Sequence, residues 1–130
     1  MAGITQTYTT AITDDAGRVV ATHANIQTGD SEETFNVSCP GSSNVSVPLT
    51  VAFATMISFW IVTDGSGVTL TVMDDGSPNV TQVLTANVPY FWITGHGTNP
   101  ISEDLAGANA LKFTKSGAGA AVCKGGFLTT

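Results

Sequence analysis

The feature that most constrains this chain is the alternation of apolar and polar residues along short segments. Between residues 68 and 73, valine and leucine alternate with threonine and methionine, and β-branched residues at a period of two are typical of half-buried strands. Turn-forming residues interrupt such segments, as in Asp64–Gly67 and Asp74–Pro78. Helical spacing with capping residues is almost absent. The pattern predicts an all-β protein made of short antiparallel strands.

Segments of this kind recur along all 130 residues, a length that suits one domain. We predict an antiparallel two-sheet β-sandwich of about eight strands, either jelly-roll-like or immunoglobulin-like. Residues 1–13 are predicted to be an N-terminal arm or first strand. Residues 14–130 are predicted to be a single β-sandwich domain.

Three segments carry more specific predictions. Met56–Val62 is apolar at nearly every position, which is typical of a central strand covered on both faces, or covered by the core on one face and by a partner on the other. The turn Asp64–Gly67 predicts a hairpin between that strand and the alternating segment after it. Pro48 has no backbone N–H to donate, so its segment is expected at a sheet edge.

The composition favours association with other chains. Hydrophobic residues make up 42% of the sequence but charged residues only 11%, about half the roughly 25% usual in soluble proteins. A surface with so few charges exposes apolar area and tends to associate. We therefore expect a homo-oligomer or docking onto a partner; a monomer with an unusually well-buried core is the alternative.

The charges exclude two classes of partner. The net charge is −6, and the only lysines and arginines are Arg18, Lys112, Lys115 and Lys124. No basic stripe is present to neutralise a phosphate backbone, so nucleic-acid binding is not expected. No run of 18 apolar residues is present either, so no membrane span is expected.

The two cysteines are predicted to be buried thiols. The N-terminus has neither the basic start nor the apolar stretch of a secretory signal, so we expect the protein to be made and retained in a cytoplasm, where thiols stay reduced. Cys39 and Cys123 are 84 positions apart, which matches no metal-binding spacing. A disulfide between them is the alternative.

No pattern of catalytic or metal-binding residues emerges. His23 and His96 are the only histidines, and His96 lies between two glycines, as in a solvated loop. The acidic pairs lie where β-turns favour aspartate before glycine, without the ligand spacing of a calcium loop. We expect no enzyme activity, no cofactor and no metal.

Aromatic residues are the candidates for partner contact. Tyr90, Phe91 and Trp92 are consecutive, and successive side chains of a strand point to opposite faces, so at least one ring faces away from the core. Such a ring predicts an anchor for a protein partner. A sugar-stacking platform formed by Trp60, Tyr90, Phe91 and Trp92 is the alternative.

The N-terminal segment Ala2–Tyr8 is a second candidate. It is polar and weakly patterned, which leaves it free to add a strand to the exposed sheet edge of a partner.

The second half of the chain resembles small β-sandwich structural proteins of tailed bacteriophages, in particular capsid decoration or cement proteins. The similarity spans residues 56–128 and is carried by turn and hairpin patterns in Asp64–Pro78, Ala86–Trp92 and Gly95–Pro100.

That resemblance implies a virion structural protein on the outer surface of a phage head, often a trimer, whose partners are the major capsid protein or other virion subunits. A tail tube or fibre component, or a carbohydrate-binding β-sandwich module, is the alternative. The family has no catalytic residues to carry over. The residues predicted to contact partners are Ile4, Thr5, Tyr8, Tyr90, Trp92, Asn99 and Pro100.

Overall fold

The computed structural model describes residues 3–50, 55–74, 77–101 and 108–130. The described residues form strands joined by turns and loops, and every strand pair is antiparallel. The predicted all-β antiparallel class is confirmed. The strands are β1 Ile4–Thr13, β2 Val19–Gly29, β3 Ser31–Cys39, β4 Ser43–Pro48, β5 Met56–Thr63, β6 Val68–Asp74, β7 Ser77–Val83, β8 Tyr90–Ile93, β9 Ala108–Lys115 and β10 Ala121–Thr129.

These ten strands form three sheets. Among the described residues, strands β1 and β2 pair only with each other and make a two-stranded ribbon, which we call the arm. The other eight form two four-stranded sheets. Sheet I has the order β3-β10-β5-β8 and sheet II has the order β4-β9-β6-β7. In the described residues β2 belongs with β1 in the arm, and the count of about eight strands for the sandwich remains a prediction.

The pairing of the eight strands is nested. Strand β3 pairs with β10, β4 with β9, β5 with β8 and β6 with β7, as if one long hairpin had been rolled up. Two further pairings, β5 with β10 and β6 with β9, close the sheets. As a result, β3 and β4 lie in different sheets, and so do β5 and β6.

The hairpin predicted across Asp64–Gly67 is therefore wrong. Strand β5 already has β10 and β8 as neighbours, so it has no free edge to offer β6. The turn crosses between the sheets and is held at both ends. Asp64 accepts a hydrogen bond from the Val122 N–H at 2.8 Å, and the Ser116 N–H donates to the Gly67 carbonyl at 2.9 Å.

The hydrophobic core contains side chains from both four-stranded sheets. Its aromatic part joins the two, since the Phe35 ring of sheet I lies 5.5 Å from the Phe113 ring of sheet II and 6.1 Å from that of Phe127. Each fully buried side chain of this size contributes about 1.5–3 kcal/mol. The largest fully buried core side chains are Phe59, Phe113, Phe127, Ile61, Leu70, Ile101 and Leu111.

Two predictions about strand position are confirmed. Strand β5 is an inner strand of sheet I, and Ser58, on the face opposite Phe59, is as fully buried as Phe59 itself. Pro48 ends β4, which is an edge strand of sheet II, and an edge strand is where a residue without an N–H is tolerated.

Both cysteines are buried and free, as predicted. The Cys39 thiol lies 3.4 Å from the Phe113 carbonyl oxygen, and the Cys123 thiol lies 3.8 Å from the Thr63 hydroxyl. Burial raises the pKa of Cys123, which keeps it a thiol at neutral pH and lowers its reactivity.

Candidate functional site

The arm is an exposed two-stranded ribbon whose strands carry no charged residues. Its two strands, Ile4–Thr13 and Val19–Gly29, contain no aspartate, glutamate, lysine or arginine. Sixteen of these residues are exposed, and they include the continuous stretches Thr9–Thr13 on β1 and Val19–Ala24 on β2. An isolated two-stranded hairpin is only marginally stable in water, so the arm needs support from elsewhere.

The turn at the end of the arm supplies part of that support. The Asp14 carboxylate accepts hydrogen bonds from the backbone N–H groups of Ala16 and Arg18, both at 3.0 Å. It also receives the Arg18 guanidinium, with contacts of 2.9 and 2.7 Å. These bonds lower the pKa of Asp14, the backbone N–H of Arg18 having the largest effect. The turn therefore neutralises one of its own two carboxylates.

Gln6 anchors the base of the arm to sheet I. Its side chain is almost fully buried, and its amide nitrogen donates to a Glu32 carboxylate oxygen at 2.7 Å. Its amide oxygen accepts from the Ser58 hydroxyl at 2.7 Å and from the Tyr8 hydroxyl at 2.6 Å. One side chain thus satisfies the buried Ser58 hydroxyl and connects β1 to both β3 and β5.

Two glycines allow the arm to approach sheet I closely. A Cβ atom on Gly29 would lie 2.5 Å from the Thr129 carbonyl oxygen and 2.9 Å from Leu128 Cγ. A Cβ atom on Gly126 would lie 2.8 Å from the Trp60 indole nitrogen and 3.3 Å from Gln6 Nε2. Any larger residue at either position would push the arm or the indole away from the sheet.

An aromatic groove of about 360 Å³ lies beside the base of the arm. One wall is β1 from Gln6 to Thr10, and the other side is formed by Trp60, Pro89 and Phe91. The Tyr8 and Phe91 rings stack with centroids 5.4 Å apart. None of the lining residues is charged, so the groove suits an uncharged, extended ligand.

The wall that β1 forms has an unused edge. Among the described residues, β1 pairs with β2 alone, so its other edge is not part of a sheet. Edges of this kind are the places where a further strand adds. The groove therefore combines an open backbone edge with aromatic side chains.

The far half of the arm, which we call the arm tip, comprises residues 11–22. Its large apolar side chains face solvent: Ile12 is 58% exposed, and Val19 and Val20 are each 61% exposed. Exposed apolar residues grouped in this way mark a surface that contacts another molecule.

The structure brings part of the predicted interface together. Tyr8 lines the groove, and Ile4 and Thr5, on the same strand, are exposed. The segment predicted as a free arm is thus the first part of β1, paired to β2. The division at residue 13 remains a prediction.

The aromatic run divides between the two faces of β8. Tyr90 and Trp92 pack against the core, and the Trp92 indole N–H donates to the Gly97 carbonyl oxygen at 3.1 Å. Phe91, 44% exposed, points to the opposite face and lines the groove. Phe91 is therefore the outward ring, although the predicted interface names its two neighbours.

Asn99 and Pro100 lie in the loop after β8, and neither of them lines the groove. Asn99 is buried, and its side-chain oxygen accepts from the Ile101 N–H at 3.1 Å. Pro100 is exposed. Their contact with a partner remains a prediction.

The predicted protein interface contains none of Gln6, Trp60 and Phe91, although the sugar-stacking alternative includes Trp60 and Phe91. One signal was available for the arm itself, since 21 strand residues without a single charge stand out in a chain of net charge −6. No sequence signal indicates that Trp60 lies next to the arm, because only the packing of the arm on sheet I makes Trp60 part of a groove.

In the described ranges, no group of three or more histidine, cysteine, aspartate or glutamate side chains is placed to hold a metal ion. His23 lies exposed on the arm and His96 in an exposed loop. The described residues also include no helix long and apolar enough to cross a membrane.

Comparison of the chain with protein-family models, with curated proteins and with solved structures finds no match.

Proposed function

We propose that this protein is a structural subunit of a virion, most specifically a decoration protein that stabilises a phage head by docking on the shell and on copies of itself. The observation that carries the proposal is the uncharged, solvent-exposed arm that extends from a well-packed β domain. A stable domain has no need of such an arm for its own core.

We further propose that the eight strands β3–β10 form a jelly roll. The nested pairing of β3 with β10, β4 with β9, β5 with β8 and β6 with β7 supports this type over the immunoglobulin type. Jelly rolls are typical of viral capsid and lectin domains, so the fold type suits the proposed role without establishing it.

The mechanism is mechanical. The arm offers an open strand edge and apolar side chains, and the groove beside it offers aromatic rings. Each contact of this size is modest in strength. Repeated over many copies on one shell, such contacts add through multivalency, which suits a protein that reinforces an assembly without catalysing a reaction.

The test is co-sedimentation with empty shells assembled from the major capsid protein of the virus whose genome encodes this chain. We expect the full chain to sediment with the shells, and a variant that lacks the arm tip to stay in the supernatant. Tails from the same virus serve as the second bait. Binding to tails alone would replace the head assignment with a tail assignment, and binding to neither would refute the proposed function.

A second candidate function is carbohydrate binding, and the aromatic groove is the observation that favours it. Trp60, Tyr8 and Phe91 expose ring surface beside polar threonines, a combination that can stack on a sugar. In this case a glycan array should give signal that Phe91→Ala removes and Trp92→Ala, on the core side of β8, retains. Shell binding without any glycan signal would exclude this candidate.

A further inference from the structure

The arm tip and the aromatic groove are two parts of the described surface that suit each other as binding partners. The arm tip presents exposed Ile12, Val19 and Val20 on strands that carry no charge, and its charged residues lie in the turn between the strands. The groove presents an open β1 edge and the rings of Trp60 and Phe91. We propose that the arm tip of one copy of this chain binds in the aromatic groove of another copy, adding a strand to its β1 edge. This inference deepens the proposed function, because it rests on the arm being an assembly element.

Charge is the reason for choosing a second copy as the occupant. The chain has a net charge of −6, so most approaches of two copies bring like charges together. The strands of the arm and the lining of the groove carry no charge. These are surfaces on which two copies can meet without that repulsion and without burying an unpaired ion.

Charges of both signs lie next to these surfaces, since the Glu32 carboxylate accepts a hydrogen bond from the groove residue Gln6. The turn of the arm contains Asp14, Asp15 and Arg18, and Arg18 is occupied by Asp14, which leaves the Asp15 carboxylate as the excess charge. On the solvent-facing side of sheet I, Lys124 lies two residues along β10 from Gly126, which pairs with Trp60. The orientation that we propose for the bound arm places its acidic turn on the Lys124 side of the groove.

The size of the groove fits this occupant. Its volume of about 360 Å³ falls within the range of specific ligand sites, and its β1 wall is five residues long. That length matches a short added strand with a few side chains. Reciprocal or cyclic exchange would fill every arm and every groove, which closes the assembly.

Sedimentation velocity of the full chain over a micromolar to submillimolar concentration series tests the inference. We expect concentration-dependent self-association. Two variants change exposed residues, so the fold is kept: Val20→Lys alters the arm tip and Thr10→Arg fills the groove. Each should raise the dissociation constant by about a hundredfold or more, because each would bury an unpaired charge in the contact. Val83→Lys, at an equally exposed valine of β7 in sheet II, is the matched control and should associate like the unchanged chain.

Mixing the two variants distinguishes arm-in-groove binding from other modes of association. Val20→Lys keeps an intact groove and Thr10→Arg keeps an intact arm tip, so an equimolar mixture can form one native contact. We expect the mixture to form a mixed complex that neither variant forms alone. A chain that stays monomeric, or variants that fail to complement each other, would overturn the inference.

Shell co-sedimentation of the same variants separates this inference from the proposed function. Self-association without shell binding would leave the arm exchange intact and refute the virion role. Shell binding by a chain that stays monomeric in solution and on the shell would refute the arm exchange and leave the virion role intact.

Discussion

At the residue scale, the site depends on positions where a side chain is missing. Gly126 lies beneath the Trp60 indole, and the space where its Cβ would be is occupied by Trp60 and Gln6. Gly126 therefore determines how closely the arm can approach sheet I, because it has no side chain.

We predict that Gly126→Ala destabilises the protein by about 1–3 kcal/mol, the usual cost of overpacking a tight site. Urea unfolding measures this change, and the tryptophan emission of the folded state should shift because the indole must move. Thr114→Ala, at an exposed strand position of sheet II, is the control and should stay within about 0.5 kcal/mol. Unchanged stability and emission in Gly126→Ala would contradict the described packing.

Asp14 makes the arm turn sensitive to acid. Its pKa in the folded hairpin is lowered, chiefly by the backbone N–H of Arg18, whereas the unfolded chain has the ordinary value of about 3.9. The carboxylate thus contributes stability that is fully present above that ordinary pKa and is lost as the pH falls through the lowered one.

A side-chain carboxyl titration by NMR should place the Asp14 midpoint below the ordinary aspartate value. In Arg18→Ala the guanidinium is lost but the backbone N–H remains, so the midpoint should return only part of the way. A full return to the ordinary value would show that the backbone bonds have no influence.

At the scale of elements, the arm is a ribbon whose base is fixed and whose tip is not. Gln6, Gly29 and the Tyr8–Phe91 stack hold the base against sheet I, while strand residues beyond Tyr8 on β1 are exposed. Because a two-stranded ribbon is marginal alone, its order should depend on the base contacts.

Gln6→Ala should loosen the arm and leave the sandwich folded. The substitution removes the partner of the buried Ser58 hydroxyl, which costs about 1–3 kcal/mol. Hydrogen exchange should accelerate across β1 and β2 and stay unchanged in the strands of sheet II. Thr5→Ala, at the exposed neighbouring position, should leave exchange as it is. Equal acceleration in every strand would mean that the arm and the sandwich unfold as one unit.

At the scale of the whole molecule, the two four-stranded sheets and the core between them do not depend on the arm tip. The cluster of buried core residues contains none from β1 or β2. The base of the arm, unlike the tip, covers part of sheet I. Gly29 packs on Leu128, which lies on the face of sheet I opposite Phe127 and is fully buried.

Replacing residues 11–22 with Asn-Gly joins Thr10 to His23, which already face each other across the ribbon, through a favoured two-residue turn. We expect the melting temperature to change by less than about 4 °C, because the deleted residues contribute little buried area. Removal of residues 1–29 should instead lower it clearly, because Leu128 and Trp60 lose their cover. Calorimetry of both variants checks this, and a large loss on tip removal alone would contradict the described division.

The sequence by itself determined the strand-rich class, the inner position of β5, the edge position of Pro48 and the burial of both thiols. These properties follow from the local alternation of apolar residues, from the missing N–H of proline and from side-chain polarity, and none of them depends on which strand is the partner. Only the tertiary structure decided that the turn at Asp64–Gly67 changes sheets, that β1 pairs with β2, and that Trp60 and Phe91 together form one side of a groove opposite β1. The physical reason is that strand partners far apart in the chain are chosen by which edges remain free once the sheets close, and no local pattern records that choice.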